Sequence, residues 1–347
     1  MGQVIAGRFE LLEPIADGGQ GTVWHARDLR SGADCAAKVL KQSDSAALLR
    51  FVREQGVQVD HPHLASPYGW AAEDSDVAIA MPLVSGGSLE GSLADHGAFS
   101  EPLAALVLLQ LLDGLAALHA DGWVHRDVKP GNLLLEPTGV GEPHVRLGDM
   151  GLAMRVDDPR LTRLGHVFGT PGYVAAEAAE GDHPAPEQDL FSAGRTVLRL
   201  LGPERRMDAP GDVAAALEQV GSAALRRLLG EDGLTSADPA RRSAAAAEAP
   251  RALAPLVAAG RQPGGGFLTA AGEPFEVFDL VREDGEGVED GEGGEGGQGP
   301  EGAGVPTLGA SSMSTSTSTA ESTRRLGIAL LLVGGLALLA AFLLLVL

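Results

Sequence analysis

The sequence predicts an α+β fold, and three observations predict it. Short runs that alternate apolar and polar residues open the chain around a glycine-rich turn, the pattern of antiparallel strands. A long apolar stretch at 103–120 has the length and character of a buried helix. Ala, Leu and Gly are abundant while aromatics make up only 4% of the residues, so small side chains fill the core and helices should dominate.

The composition also excludes some functions. A chain of 347 residues can hold one large domain or two ordinary ones. Its formal net charge is -21, and about half of that excess lies in 273–301, so the acidity describes a tail more than a folded region. General nucleic-acid binding is not expected, because it requires positive charge to displace counterions. The single cysteine, Cys35, excludes a disulfide within the chain and fits a reducing, cytoplasmic compartment. The first ten residues are polar and lack the apolar core of a signal peptide.

Globular patterning extends over residues 8–256. Phe9-Glu10-Leu11-Leu12 and Thr22-Val23-Trp24-His25-Ala26 flank Asp17-Gly18-Gly19-Gln20-Gly21, which reads as strand, turn, strand. Glycines let backbone N–H groups approach phosphates closely, although a plain hairpin turn fits this loop better when it is taken on its own. Lys38 sits inside the apolar strand Ala36-Ala37-Lys38-Val39-Leu40. Such a lysine either pairs with an anion, for which Glu54 on a predicted helix 48–59 is the candidate, or snorkels from a strand edge.

The helix at 103–120 leads into Trp123-Val124-His125-Arg126-Asp127-Val128-Lys129-Pro130-Gly131-Asn132, followed by the strand Leu133-Leu134-Leu135. A loop that carries Asp, Lys and Asn between helix and strand suits one task. The carboxylate orients a hydroxyl, the lysine neutralises a moving phosphoryl group, and the amide holds a metal. Asp149, in Val145-Arg146-Leu147-Gly148-Asp149-Met150-Gly151, suits a second Mg2+ ligand.

Beyond the globular part, 260–323 turns Gly, Glu, Ser and Thr rich and is expected to be disordered. Within it, Phe275-Glu276-Val277-Phe278-Asp279-Leu280 is either a short apolar segment packing back on the domain or a docking motif for a partner. The final stretch, 326–347, has no charged or polar side chain and as a helix would span roughly 30 Å, the thickness of a bilayer core. A transmembrane helix is expected there. Arg324 and Arg325 precede it, which predicts a tail anchor in the cell membrane with the globular part in the cytoplasm.

This ordered series of motifs resembles the protein kinase superfamily, most closely the bacterial, eukaryotic-like serine/threonine kinases, over about 8–256. The resemblance implies a two-lobed α+β fold, with a strand-rich lobe at 8–81 and a mainly helical lobe at 82–256. It implies Mg-ATP as cosubstrate and serine or threonine hydroxyls of proteins as acceptors. Ile15, Gly18, Gly21, Val23, Ala36, Lys38, Glu54, Met81, Val84 and Leu134 then correspond to the nucleotide site. Lys38 contacts the α/β-phosphates with Glu54 as its helix partner, Met81 is the gatekeeper, and the Val84 backbone bonds adenine. Asp127 corresponds to the catalytic base with Lys129 assisting, and Asn132 and Asp149 to the metal ligands. Gly169-Thr170-Pro171-Gly172-Tyr173-Val174-Ala175-Ala176-Glu177 resembles the end of the activation segment. Asp189 corresponds to the aspartate that braces the catalytic loop, and Arg242 to the partner of Glu177.

Thr170 is expected to bond Asp127 and Lys129, with a phosphosite as the alternative. Thr162 is expected to be autophosphorylated and paired with Arg126, or else simply exposed. Several positions depart from the family pattern: Ala16 in the glycine loop, Pro82 in the hinge, Met150 after Asp149, Ala176 before Glu177, and a short span from Asp189 to Arg242. None of these removes a chemical group. The rival expectation is a weakly active pseudokinase scaffold that recruits partners to the membrane, and dimerisation is a further expectation.

Overall fold

In the computed structural model, which describes residues 3–18, 21–41, 56–73, 76–156, 169–202 and 210–281, the alternating runs form one antiparallel sheet. Its strands are β1 (Val4–Ile5), β2 (Phe9–Gly18), β3 (Gly21–Asp28), β4 (Ala33–Lys41), β5 (Gly69–Glu73) and β6 (Asp76–Met81), in the order β1-β2-β3-β4-β6-β5. Successive side chains of a strand point to opposite faces. Phe9, Leu11, Ala26, Cys35, Ala37, Ala78 and Ala80 therefore cluster on one face, and Ala36, Leu40, Ile79 and Met81 on the other. The sheet opens at Val4 rather than at Arg8 because β1 pairs with the start of β2. Arg8 ties that corner to β3 through a 3.0 Å ion pair with the nearly buried Asp28. The bond from the Arg8 guanidinium holds the Asp28 carboxyl below the usual carboxylate range.

Among the described residues of the helix predicted at 48–59, only Gly56 is helical. The chain has left the helix by Val57, which is fully buried in the core of the second lobe. A Cβ on Gly56 would come within 2.8 Å of the Trp123 ring, so this exit is pressed against the neighbouring lobe. Glu54, Thr162 and the apolar run 326–347 lie outside the described residues.

The second lobe is built from α1 (Leu89–His96), α2 (Glu101–Ala120), α3 (Ala176–Ala179), α4 (Pro186–Leu200), α5 (Pro210–Glu218), α6 (Ala223–Leu229) and α7 (Pro239–Gly260). Ser100 caps α2 by accepting the Leu103 N–H, and Pro102 sits in its first turn, where no N–H partner is needed. Several faces of α2 are packed, because the strand Val145–Leu147 lies against it, as do α4 and α7. That explains a helix long and apolar enough to cross a membrane: it is the axis of the lobe, with Leu103, Leu108, Leu111 and Leu115 inaccessible.

Two short antiparallel strand pairs sit between α2 and α3. β7 (Trp123–Val124) pairs with β10 (Met154–Arg155), and β8 (Leu133–Leu135) pairs with β9 (Val145–Leu147). The loop 125–132 and the Asp149 turn are thereby held between them.

The C-terminal boundary differs from the expectation. Helix α7 continues to Gly260, and 261–281 folds back onto the helical lobe instead of opening a disordered linker. Phe267, Phe275 and Val277 are 1%, 1% and 3% exposed within the lobe's core, while Phe278 and Leu280 face solvent. Burial of Phe275 and Val277 is the packing back on the domain expected of 275–280, and Phe267 adds an apolar contact that the Gly-rich composition had hidden.

One buried cation ties the last helix to the rest. Arg242 is inaccessible, donates to both carboxylate oxygens of Glu177, and donates to the carbonyls of Ser236, Ala237 and Glu187. Replacing it leaves a carboxylate and several carbonyls without donors. Arg242→Ala should lower unfolding free energy by about 3–5 kcal/mol, read as a shift of the urea midpoint; a loss under about 1 kcal/mol would contradict the assigned network.

Candidate active site

The loop 125–132 is positioned from behind by one carboxylate. Asp189, wholly buried in the first turn of α4, accepts the backbone N–H groups of His125 and Arg126 at 2.8 Å each. His119, at the end of α2, lies 2.8 Å from Asp189 Oδ2 through Nε2. Burial alone would raise the Asp189 carboxyl; the His119 hydrogen bond and charge outweigh it and hold the group below its ordinary value. Arg126 has φ +70, a left-handed conformation that costs a non-glycine residue of order 1–2 kcal/mol. The bond to Asp189 offsets that strain.

The turn aims Asp127 into the site, where its side chain is bonded on both oxygens. Oδ2 accepts from Lys129 Nζ at 2.7 Å and from Asn132 Nδ2 at 2.9 Å. Oδ1 accepts from the Thr170 hydroxyl at 2.7 Å, and that hydroxyl accepts from Lys129 Nζ at 2.9 Å. Asp127, Lys129 and Thr170 thus form a closed ring of charge-assisted bonds. Thr170 arrives from the segment at 169–177. Gly169 there has φ +111, and a Cβ on it would meet Val174 Cγ2 at 2.7 Å and Arg126 O at 3.0 Å. Arg195 donates to Gly172 O at 2.7 Å and Ser192 to Tyr173 O at 2.7 Å, so α4 fixes this segment as well as the loop.

From the sheet, Lys38 on β4 reaches across to Asp149, with Nζ 2.8 Å from Oδ1. Asp149 has φ +56 and ψ +70, and its side chain also caps its own turn through the Gly151 N–H. Burial pushes this carboxyl up, but the charge and hydrogen bond of Lys38, together with His125 and the Gly151 N–H, outweigh it and keep the group below its ordinary value. The sequence suggests Glu54 as the partner of Lys38; among the described residues the partner is Asp149.

Of the remaining residues that the resemblance assigns to a nucleotide site, three form an apolar wall. Val23, Ala36 and Met81 share one cluster with Leu40, Ile79 and Leu83. Val84 is buried just beyond the sheet, and half-buried Leu134 on β8 bridges to Ser88. Ile15 is largely exposed on β2. Gly18 and Gly21 face each other at the end of the β2–β3 hairpin. Gly21, at φ +133, has a packing reason to be glycine, because a Cβ there would strike Val39 O at 2.5 Å. Ala16 pairs with Val23 just past a register shift after Pro14, and its side chain is exposed, so this departure meets no steric obstacle. Met150 is buried in the lobe's core, where its flexible chain fills the space.

The structure therefore brings together Asp127, Lys129, Asn132 and Thr170, and separately Lys38 with Asp149. Sequence reasoning missed His119, Arg195 and Ser192. The available signal was polarity in otherwise apolar helices: His119 closes α2, and Ser192 and Arg195 lie on the buried face of α4.

The two-lobed fold and this constellation define a class, and sequence comparison agrees. The protein kinase domain matches residues 9–228, and the chain belongs to that family. It is 38% identical over 213 residues to the serine/threonine-protein kinase PkaA of Streptomyces coelicolor, covering 57% of this chain and 39% of the relative. It is 37% identical to PkaB of the same organism, covering 58% and 50%. With the serine/threonine-protein kinase PknA of Mycobacterium tuberculosis it shares 35% identity, covering 63% and 52%. The chain spans about half the length, or less, of these curated relatives.

The depressed carboxyls carry a pH dependence. Asp189, Asp149 and Glu177 all sit below their ordinary values of 3.8, 3.8 and 4.5, so their stabilisation is complete above that range and is lost as pH falls through the folded values. Unfolding free energy should be nearly flat above about pH 5 and drop below it. Asp189→Asn should reduce the acid slope by up to about 1.4 kcal/mol per pH unit, one proton's worth. Urea titrations at several pH values measure this; an unchanged slope in the variant would contradict the assignment.

Proposed function

We propose that this chain is a serine/threonine protein kinase that transfers the γ-phosphoryl group of Mg-ATP to hydroxyl groups of proteins. The observation that carries the reading is the ring of Asp127, Lys129 and Thr170. Asp127 presents a carboxylate that can orient an incoming hydroxyl and accept its proton. Lys129 offers a cation beside the same carboxylate, suited to the negative charge of the moving phosphoryl. Thr170 caps the far side of the ring and leaves room for a short acceptor side chain. The relatives are named as serine/threonine kinases, which supports this choice of acceptor.

Lys38 is the nucleotide-side cation, and its ion pair with Asp149 holds it extended toward the cleft. The residues present also fit a divalent cation. Lys38 takes one carboxylate oxygen of Asp149, and Asp127 takes the amide NH2 of Asn132. Among the bonds of the described residues, this leaves Asp149 Oδ2 and Asn132 Oδ1 as hard oxygen donors, the type that Mg2+ prefers. When bound, the metal would neutralise phosphate charge. We further infer that 326–347 anchors the chain in the cell membrane with the kinase domain in the cytoplasm. Its uncharged length and the flanking Arg324 and Arg325 support this.

Phosphate transfer from labelled ATP tests the main reading. Asp127→Asn keeps the shape of the loop but removes the proton acceptor, so kcat should fall about 100- to 10,000-fold while nucleotide affinity stays close to wild type. Lys38→Met should weaken nucleotide binding instead. Equal transfer by wild type and Asp127→Asn would overturn the assignment. Deleting 326–347 should move the protein from the membrane pellet to the soluble fraction; a deletion that leaves it in the pellet would contradict the anchor.

A further inference from the structure

The segment 261–281 lies wholly beyond the matched kinase region, which ends at residue 228. It is nevertheless bonded to the part of the fold that joins the two lobes. Leaving α7 at Gly260 against Pro102, the chain turns through Gly264 and Gly265, both at positive φ, with the Gln262 N–H bonded to Gly266 O at 2.8 Å. Phe267 enters the core. Ala270 N–H then bonds Ala98 O at 2.9 Å, and a tight hairpin returns Phe275 beside Phe267 through a 2.8 Å bond. Phe275 packs edge-on against Phe99, ring centres 5.0 Å apart. These two buried rings anchor the segment.

Past the two anchors the chain reaches the hinge. Val277 exchanges two backbone bonds of 2.9 Å with Gly139, and its Cγ1 fills the space where a Cβ on Gly86 would lie. The Leu280 N–H donates to Ser85 O at 2.9 Å. On its other side the same link is bonded to β8, with Gly86 N–H to Leu135 O and Leu135 N–H to Gly87 O, each 2.9 Å. Residues 85–87 are therefore held on one side by the β8 strand and on the other by the C-terminal segment, directly after Val84.

We propose that 261–281 is a strap that sets the position of the hinge, with Val277 and the Leu280 backbone N–H as positioning groups for nucleotide binding. The inference rests on the reading of Val84 as the residue whose backbone meets the adenine. A base held by backbone groups is bound well only if that backbone is already in place. Loosening Ser85 adds an ordering cost to nucleotide binding. It leaves Asp127, Lys129 and Thr170 untouched, so affinity should change and the chemical step should not.

Leu280→Pro on the full chain tests this, because it deletes the N–H bonded to Ser85 O while removing no core side chain; Leu280 is 64% exposed. Leu280→Ala keeps the N–H and serves as the conservative control. ADP affinity by calorimetry and KM for ATP should weaken about 2- to 10-fold in Leu280→Pro, the range for one hydrogen bond. Turnover at saturating ATP should stay within about twofold, and Leu280→Ala should match wild type. Val277→Ala should shift affinity in the same direction as Leu280→Pro. Leu280→Pro that binds ADP as tightly as wild type would overturn the proposal, as would a Val277→Ala variant that loses thermal stability with no change in ADP affinity. A wild-type chain that binds neither ADP nor ATP would overturn the kinase reading itself, a result separable from failure of the strap alone.

Discussion

The geometry of the site depends on a carboxylate that never faces it. Asp189 is fully buried, and a buried carboxylate is costly unless donors surround it. Here the donors are the His125 and Arg126 backbone N–H groups, with His119 alongside. The loop 125–132 is thus bonded to the interior of α4, and the left-handed turn at Arg126 is tolerated because the same bonds require it. The position of Asp189 near the N-terminus of α4 also favours its negative charge. The helix itself is fixed by its packing on α2 and α7 and by the Arg242 network that reaches Glu177 and Glu187 O. Disturbing α4 would therefore move the loop, the Thr170 segment and the last helix together.

From that support the polar site extends in two directions. Within the helical lobe, Asp127 gathers Lys129, Asn132 and Thr170 into one bonded set, which fixes its rotamer before any substrate arrives. Between the lobes, the 2.8 Å pair of Lys38 and Asp149 joins strand β4 to the turn after β9. The apolar wall of Val23, Ala36 and Met81 lies on the face of the sheet that carries this side of the cleft. Charge thus lies between the lobes and apolar surface on the adjoining face of the sheet, the division that the proposed nucleotide site requires.

Much of this was legible in the sequence, for identifiable reasons. The loop at 125–132 was readable because an Asp, a Lys and an Asn interrupt a long apolar helix and an apolar strand at fixed intervals, which core packing alone would not produce. Arg242 and Glu177 were readable only through the family resemblance, since they are far apart in the chain. The strap was legible in part. The alternation of apolar and acidic residues in 275–280 made packing back on the domain readable for Phe275 and Val277, whereas Phe267 is a single apolar residue after a run of glycines, and only the surface it covers shows why it is buried. Composition averaged over 260–323 pointed to disorder, while three buried side chains are enough to hold the first third of that span. The end of the predicted helix 48–59 was misplaced because Val57 continues its apolar pattern yet belongs to the core of the other lobe. Gly21 shows a different limit: its place in a phosphate-binding pattern hid a steric requirement at Val39 O.

On the proposed function, the Asp127, Lys129 and Thr170 ring selects and activates a short aliphatic hydroxyl. Phosphoamino-acid analysis of protein labelled by the purified full chain with γ-labelled Mg-ATP addresses it most directly. The account predicts label on phosphoserine and phosphothreonine. Label confined to phosphotyrosine, or released only as inorganic phosphate, would contradict it.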